Sequence, residues 1–103
     1  MIYRIGEFAV DTLRAEVRLA GKTVPLRRQS FDVLVHLLER PNRIVSKDEL
    51  LDAVWGRTVV TDGSLKHCVM DIRAAIQDCE HKIVRTVARR GYMLEATVTK
   101  ESD

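Results

Sequence analysis

The stretch Ile83-Val84-Arg85-Thr86-Val87-Ala88-Arg89-Arg90-Gly91-Tyr92-Met93-Leu94 decides how the rest of the chain is read. Ile83, Val84 and Val87, then Tyr92 and Leu94, follow the period-two rhythm of strands, and Ala88-Arg89-Arg90-Gly91 interrupts it. The segment therefore predicts a terminal hairpin whose tip exposes two adjacent arginines. From Lys82 to Arg90 the cations Lys82, Arg85, Arg89 and Arg90 meet no acid. An arginine at such a tip gains from the negative potential of a narrow A·T-rich minor groove. Taken in isolation, a charged tip kept for solubility explains it equally well.

Three helices lead up to the hairpin. Leu65, Val69, Ile72 and Ile76 share one helical face, with Cys68 and Ala75 beside them and Asp62 as the expected N-cap. Residues Arg57 to Asp62 form the approach to this third helix. Before them, Ser46-Lys47-Asp48-Glu49 is a capping-box signature, in which Ser46 accepts from the Glu49 N–H and the Glu49 side chain reaches back. The helix it opens is expected to bury Leu50, Leu51, Val54 and Trp55 and to stop at Gly56. The first helix carries Phe31, Leu34, Val35 and Leu38 on one face and ends at Pro41-Asn42. The first 26 residues read as short strands: Ile2–Glu7, Phe8–Asp11, a run around Val17 and Leu19, and one around Val24. Ala20-Gly21-Lys22 is the turn between the last two, and Pro25 marks an edge strand because it has no N–H for a ladder.

At 103 residues, 46% hydrophobic, the chain is long enough for one modest core without metal or disulfide staples. One Trp, two Tyr and two Phe leave that core to Leu, Val and Ile. The net charge of +2 does not announce a nucleic-acid binder, so the distribution matters more than the total. Cys68 and Cys79 lack CxxC spacing and secretory context, which favours a reduced, cytoplasmic setting. No apolar run is long enough to span a membrane, and the N-terminus lacks a signal-peptide pattern. Residues 1–96 are read as one domain and 97–103 as a polar tail or the start of a linker.

A helix followed by a basic hairpin offers two projections toward B-DNA, whose major groove admits one helix. At about 100° per residue, His67, Met70 and Ala74 lie opposite the apolar face of the third helix. Asp71 stands on one flank, with Lys66 and Arg73 on the other. Lys66 and Arg73 suit phosphates or a guanine edge, His67 a base or a phosphate, and Met70 a thymine methyl. With Ser64 and Asp71 on the helix and Thr86, Arg89, Arg90 and Tyr92 on the hairpin, these residues form the expected DNA-binding set. An ordinary solvated helix face explains the helix as well, and Asp71 weakens the DNA reading unless it accepts from a cytosine amine or is neutralised by Arg73.

Other chemistries find less support. His36, His67 and His81 lie far apart with no zinc-ligand spacing, so no metal is expected. His67 and Cys68 are neighbours in sequence and point about 100° apart on a helix. Ser30, Asp32 and His36 share one helix and cannot supply a hydrolase triad with an oxyanion hole. No glycine-rich phosphate loop is present. The expectation is a non-enzyme without cofactor or small-molecule substrate.

The runs Val24-Pro25-Leu26, Ser30 to Leu38, Arg43 to Gly56, Val60-Thr61-Asp62-Gly63-Ser64-Leu65 and Ile83 to Tyr92 carry a resemblance to a known family. From about Tyr3 to Leu94 the chain resembles the effector domain of the OmpR/PhoB regulators. The TDGSL start of the third helix and the ARRGY hairpin are most similar to the CadC/ToxR-like branch. The resemblance implies an α+β winged helix-turn-helix: a four-stranded N-terminal antiparallel sheet, three helices and a C-terminal hairpin wing. It implies a bacterial transcription regulator that binds double-stranded DNA, third helix in the major groove and wing at the minor groove. It also implies that Arg57, Thr58, Val59, Val60 and Thr61 can contact RNA polymerase, and that Trp55 can bring its indole N–H to a phosphate unless it is simply a core residue.

In that branch the DNA-binding domain precedes a sensor or other module, and Met1 lying just before the first strand fits this order. The chain is then the cytoplasmic part of a longer, membrane-anchored regulator or a short stand-alone one, able to pair as a homodimer on repeated half-sites. Met70, Asp71 and Ala74 replace basic positions common in the family. The alternative to DNA reading is a winged helix used for protein–protein interaction through the Val59-Val60 loop or the third helix.

Overall fold

A computed structural model describes residues 1–56 and 60–102. Four strands come first: β1 (Ile2–Ile5), β2 (Phe8–Asp11), β3 (Glu16–Leu19) and β4 (Lys22–Val24). Then follow α1 (Arg28–Leu38), α2 (Lys47–Trp55) and α3 (Asp62–Ala75), the hairpin β5 (Val84–Val87) and β6 (Gly91–Leu94), and finally β7 (Thr99–Glu101). The sheet is antiparallel in the order β4-β3-β2-β1-β7, and β5-β6 is separate.

The register of the sheet explains its buried face. Tyr3 pairs with Val10, Val10 with Val17 and Val17 with Val24, so one cross-strand row runs over four strands. Tyr3, Val10 and Val17 of that row are buried in one cluster with Leu34, Leu37 and Leu38 of α1. Ala20 and Gly21, at φ +53° and +78°, make the two-residue turn between β3 and β4. β4 is an edge strand and Pro25 falls just beyond it, where a missing N–H costs no ladder bond.

β7 is a departure from the expected four-stranded sheet and loose tail. Ile2 pairs with Glu101, Tyr3 with Lys100 and Arg4 with Thr99, so residues of the polar tail add a fifth strand beside β1. All three β7 residues are exposed, and no apolar alternation announces them. Their hold is backbone pairing plus side chains: Arg4 Nε donates to Glu101 at 2.8 Å, and the Lys100 ammonium lies 6.0 Å from the Tyr3 ring centroid.

The capping box at α2 forms by half. Ser46 Oγ accepts from the Glu49 N–H at 3.0 Å. The Glu49 carboxylate turns away from the expected return bond, because His36 Nε2 at 2.7 Å, Arg40 Nε at 3.2 Å and Arg43 Nη2 at 3.2 Å offer stronger partners. These contacts tie α2 to α1 and hold the Glu49 carboxyl below its usual range, the His36 hydrogen bond contributing most. Leu50 is fully buried, Leu51, Val54 and Trp55 pack partly against the core, and Gly56 caps the helix at φ +59°. The N-cap of α3 is Thr61 rather than Asp62, which is already the first helical residue. The capping hydroxyl makes no bond here, and the Ser64 N–H instead closes the first turn on the Thr61 carbonyl at 3.0 Å.

Candidate nucleic-acid interface

α3 is supported from behind by its apolar face. Leu65, Val69, Ile72 and Ile76 are buried with Cys68 and Ala75. That burial fixes which residues look outward: Lys66, His67, Met70 and Ala74 are exposed, with Met70 at 57%. The expected reading face is therefore presented to solvent as a continuous strip. Ser64 is partly buried at the start of the helix, where it borders a cleft of about 230 Å³ with Arg27, Gln29, Ser30, Trp55, His67 and Cys68. Trp55 thus stands at the rim of α3 and is half-buried rather than sealed in the core.

One residue on each flank of α3, Asp71 and Arg73, is committed to internal contacts. On one side, Asp71 Oδ2 accepts from Arg27 and from Ser30 Oγ, the latter at 2.8 Å. Burial pushes the Asp71 carboxyl up, but the bonds from Ser30 and Arg27, with the charges of Arg27 and His67, outweigh it and hold it below the usual range. The neutralising partner is Arg27, not Arg73. On the other side, Arg73 Nε donates to the Val84 carbonyl at 2.9 Å and Nη2 to Thr86 Oγ1 at 2.9 Å. Arg73 and Thr86, both expected at DNA, spend these atoms on joining α3 to β5.

The wing is built from β5, a turn over residues 88–90, and β6. Arg89 at φ +65° turns the chain, and the Arg90 N–H closes on the Val87 carbonyl at 3.0 Å. Both arginines are exposed at the tip. The base of the wing is anchored by three devices. Tyr92 exchanges backbone bonds with Val45, N–H to carbonyl, at 2.9 and 2.8 Å. Gly91 is buried at φ +144°, and an added Cβ there would run into the Val45 carbonyl. Asp78, 4% exposed, accepts from the Lys82, Ile83 and Val84 N–H groups and so sets the start of β5. Tyr92 was expected to face DNA, but its side chain belongs to the buried core cluster and supports the wing from within.

Electrostatically, the exposed cations are sorted. Among the described residues, Arg4, Arg14, Arg18, Arg27, Arg28, Arg40, Arg43, Lys82 and Arg85 each pair with a carboxylate. Lys66 on α3 and Arg89 and Arg90 on the wing enter no such pair; nor do Lys22 on β4, Lys47 at the start of α2 and Lys100 on β7, which lies over the Tyr3 ring. Arg57, Thr58 and Val59 of the expected polymerase loop lie outside the described residues; Val60 is partly buried and Thr61 exposed. No cluster of three His, Cys, Asp or Glu among the described residues is arranged for a metal, and no described helix is long and apolar enough to cross a membrane.

The sequence pattern missed Asp78, Arg27 and Ser30. Asp78 had a usable signal, a short carboxylate just past a helix end and before a strand, where loop N–H groups need acceptors. Arg27 and Asp71 are 44 residues apart, and nothing local links them.

Comparison with known proteins agrees with this geometry. Residues 21–94 match the family model described as "Transcriptional regulatory protein, C terminal". The chain is 28% identical over 100 residues to the transcriptional activator CadC of Escherichia coli (strain K12), a match covering 94% of this chain and 20% of CadC. It is 38% identical over 78 residues to the transcriptional regulator HilA of Salmonella typhi, covering 75% of this chain and 14% of HilA. The chain thus spans a fifth or less of these relatives. Among solved structures, the DNA-binding domain of E. coli CadC superimposes with a TM-score of 0.85 at 27% identity, over 97% of this chain and 96% of that one. The Klebsiella pneumoniae RstA DNA-binding domain, solved in complex with the RstA box, gives 0.78 at 26% identity, over 91% and 96%.

Proposed function

The chain belongs to the transcriptional regulatory proteins with an OmpR/PhoB-type DNA-binding domain, and on that premise we propose that it reads double-stranded DNA with α3 in the major groove and the wing at the minor groove. The observation that carries this reading is the placement of unpaired cations. Lys66 and the Arg89-Arg90 tip, on the two projections, are free for phosphates or the minor groove; of the other described cations, nine pair with carboxylates, Arg73 is held by Val84 and Thr86, and Lys22, Lys47 and Lys100 lie on β4, α2 and β7. Between them, the exposed His67, Met70 and Ala74 strip fits a groove about 12 Å wide, which takes one helix of about 10–12 Å diameter.

In this reading the direct contacts are divided. Lys66 and the wing arginines supply sequence-independent affinity, and His67 and Met70 supply preference among bases. Ser64 and Trp55 face the backbone beside the start of α3. Arg73 and Thr86 act by holding the wing at a fixed angle to the helix, and Tyr92 by supporting it. The segment from Arg57 to Thr61 is proposed as the RNA polymerase contact, and two copies as the unit that occupies repeated half-sites.

Selection from a pool of random duplexes tests the proposal. A shared motif should emerge, and replacing His67 or Met70 should change that motif more than the general affinity. Failure to enrich any sequence, with binding insensitive to salt, would favour a protein-binding module instead.

A further inference from the structure

Asp71 is a carboxylate on the helix proposed to enter the groove, where a free negative charge would be repelled by phosphates. Its surroundings give it another task. Arg27 Nε at 2.7 Å, Arg27 Nη2 at 2.6 Å and Ser30 Oγ at 2.8 Å all converge on one oxygen, Oδ2. The Asp71 side chain is 29% exposed and the Arg27 side chain 60%, so the carboxylate lies behind and the guanidinium in front. Two nitrogens on one oxygen fix the plane of the guanidinium and leave its remaining N–H donors pointing away from Asp71.

Arg27 is also placed along α3. It borders one cleft together with Ser64 and His67, and a neighbouring one together with Asp71 and Ala74. It therefore flanks the reading strip on the α1 side, as the wing, tied through Arg73 to Thr86, flanks it on the other. A helix that fills the major groove meets a phosphate ridge on each side. The wing serves one ridge, and the second needs its own cation.

We infer that Asp71 is a positioning residue that holds Arg27, a residue outside α3, against a DNA backbone phosphate on the α1 side of the reading helix. The inference rests on the DNA reading above. Arg27 supplies the phosphate contact, and Asp71 acts only through it, by fixing a long side chain before DNA arrives. A plain brace between α1 and α3 would share the same hydrogen bonds but would carry no charge to DNA.

Salt titration of binding separates these cases. Dissociation constants are measured for the chain, Arg27→Ala, Arg27→Lys, Asp71→Asn and the double variant Arg27→Ala/Asp71→Asn. The probes are a duplex selected from a random pool and a scrambled duplex of equal length. R27A should weaken both duplexes alike and make the log–log salt slope shallower by about 1, whereas R27K should keep the slope. D71N should weaken binding several-fold when Arg27 is present, although it removes a negative charge, and should not weaken it when Arg27 is absent. An unchanged slope in R27A, or the same effect of D71N in both backgrounds, would overturn the inference. If D71N does not fold, the contrast between R27A and R27K still decides. Failure of the unmodified chain to bind either duplex would overturn the DNA reading itself, and this inference with it.

Discussion

Arg73 of α3 holds Thr86 of the wing: its Nη2 donates to Thr86 Oγ1 at 2.9 Å while its Nε donates to the Val84 carbonyl at 2.9 Å. One side chain thus sets the angle between the two projections. Arg73→Ala is expected to cost about 1–2 kcal/mol, since charged hydrogen bonds are lost and a carbonyl is left without its donor. A thermal melt measures that loss. Hydrogen exchange should quicken in Arg85–Val87 more than in β1–β4, and uniform quickening would contradict a local role.

Gly91 meets Val45 at the base of the wing. With φ at +144° and the Val45 carbonyl where a Cβ would go, the position has no room for any side chain. Gly91→Ala should destabilise by about 3 kcal/mol from backbone strain and overpacking together. A melting temperature lowered by roughly 12–24 °C is expected. A change of only a degree or two would mean that the Val45 backbone does not lie against the wing.

The contrast between Gly91 and β7 shows what a sequence displays and what it conceals. Helices and hairpin were legible because burial on one face leaves a 3.6- or 2-residue period, as at Leu65, Val69, Ile72 and Ile76. Ser46 was legible because its bond to Glu49 is local. The fate of the Glu49 carboxylate was not, since it depends on His36 and Arg40 arriving from α1. β7 left no trace because a polar edge strand buries nothing and pairs through its backbone. The exposure of Lys66, His67, Met70 and the wing arginines, the proposed contacts, followed from helical geometry and the turn. The roles of Arg27, Asp71, Arg73 and Tyr92 did not, because each is fixed by partners distant in sequence.

Gln77 occupies the left-handed position after α3, at φ +58°. Its N–H reaches the Ala74 carbonyl at 3.3 Å and that of Asp78 the Arg73 carbonyl at 2.8 Å, the Schellman pattern that glycine usually serves. Left-handed backbone costs a side-chain-bearing residue about 1–2 kcal/mol, against about 0.5–1 kcal/mol for glycine's extra unfolded entropy. Gln77→Gly should therefore stabilise by about 0.5–1 kcal/mol. A higher melting temperature is the expected reading, and a lower one would contradict the cap.

Acid should loosen the domain through Glu49 and Asp71. Both carboxyls lie below their ordinary values of 4.5 and 3.8. A depressed folded pKa gives stability that is complete above the unfolded value and is lost as pH falls through the folded one. Stability should thus be insensitive to these groups above about pH 5 and decline below about pH 4. Glu49→Gln should flatten part of that decline in melts recorded across the range. An identical acid limb would show that Glu49 does not contribute to the acid loss.

α3 and the Arg89-Arg90 wing are proposed to grip DNA together, and salt dependence tests this most directly. Binding of the chain to a selected duplex should follow a log–log slope of roughly −4 to −5, as for about four to six phosphate contacts. Arg89→Ala/Arg90→Ala should weaken binding and make the slope shallower by about 2 while leaving the melt unchanged. A flat salt response of the unmodified chain, or a slope that the double variant leaves untouched, would contradict it.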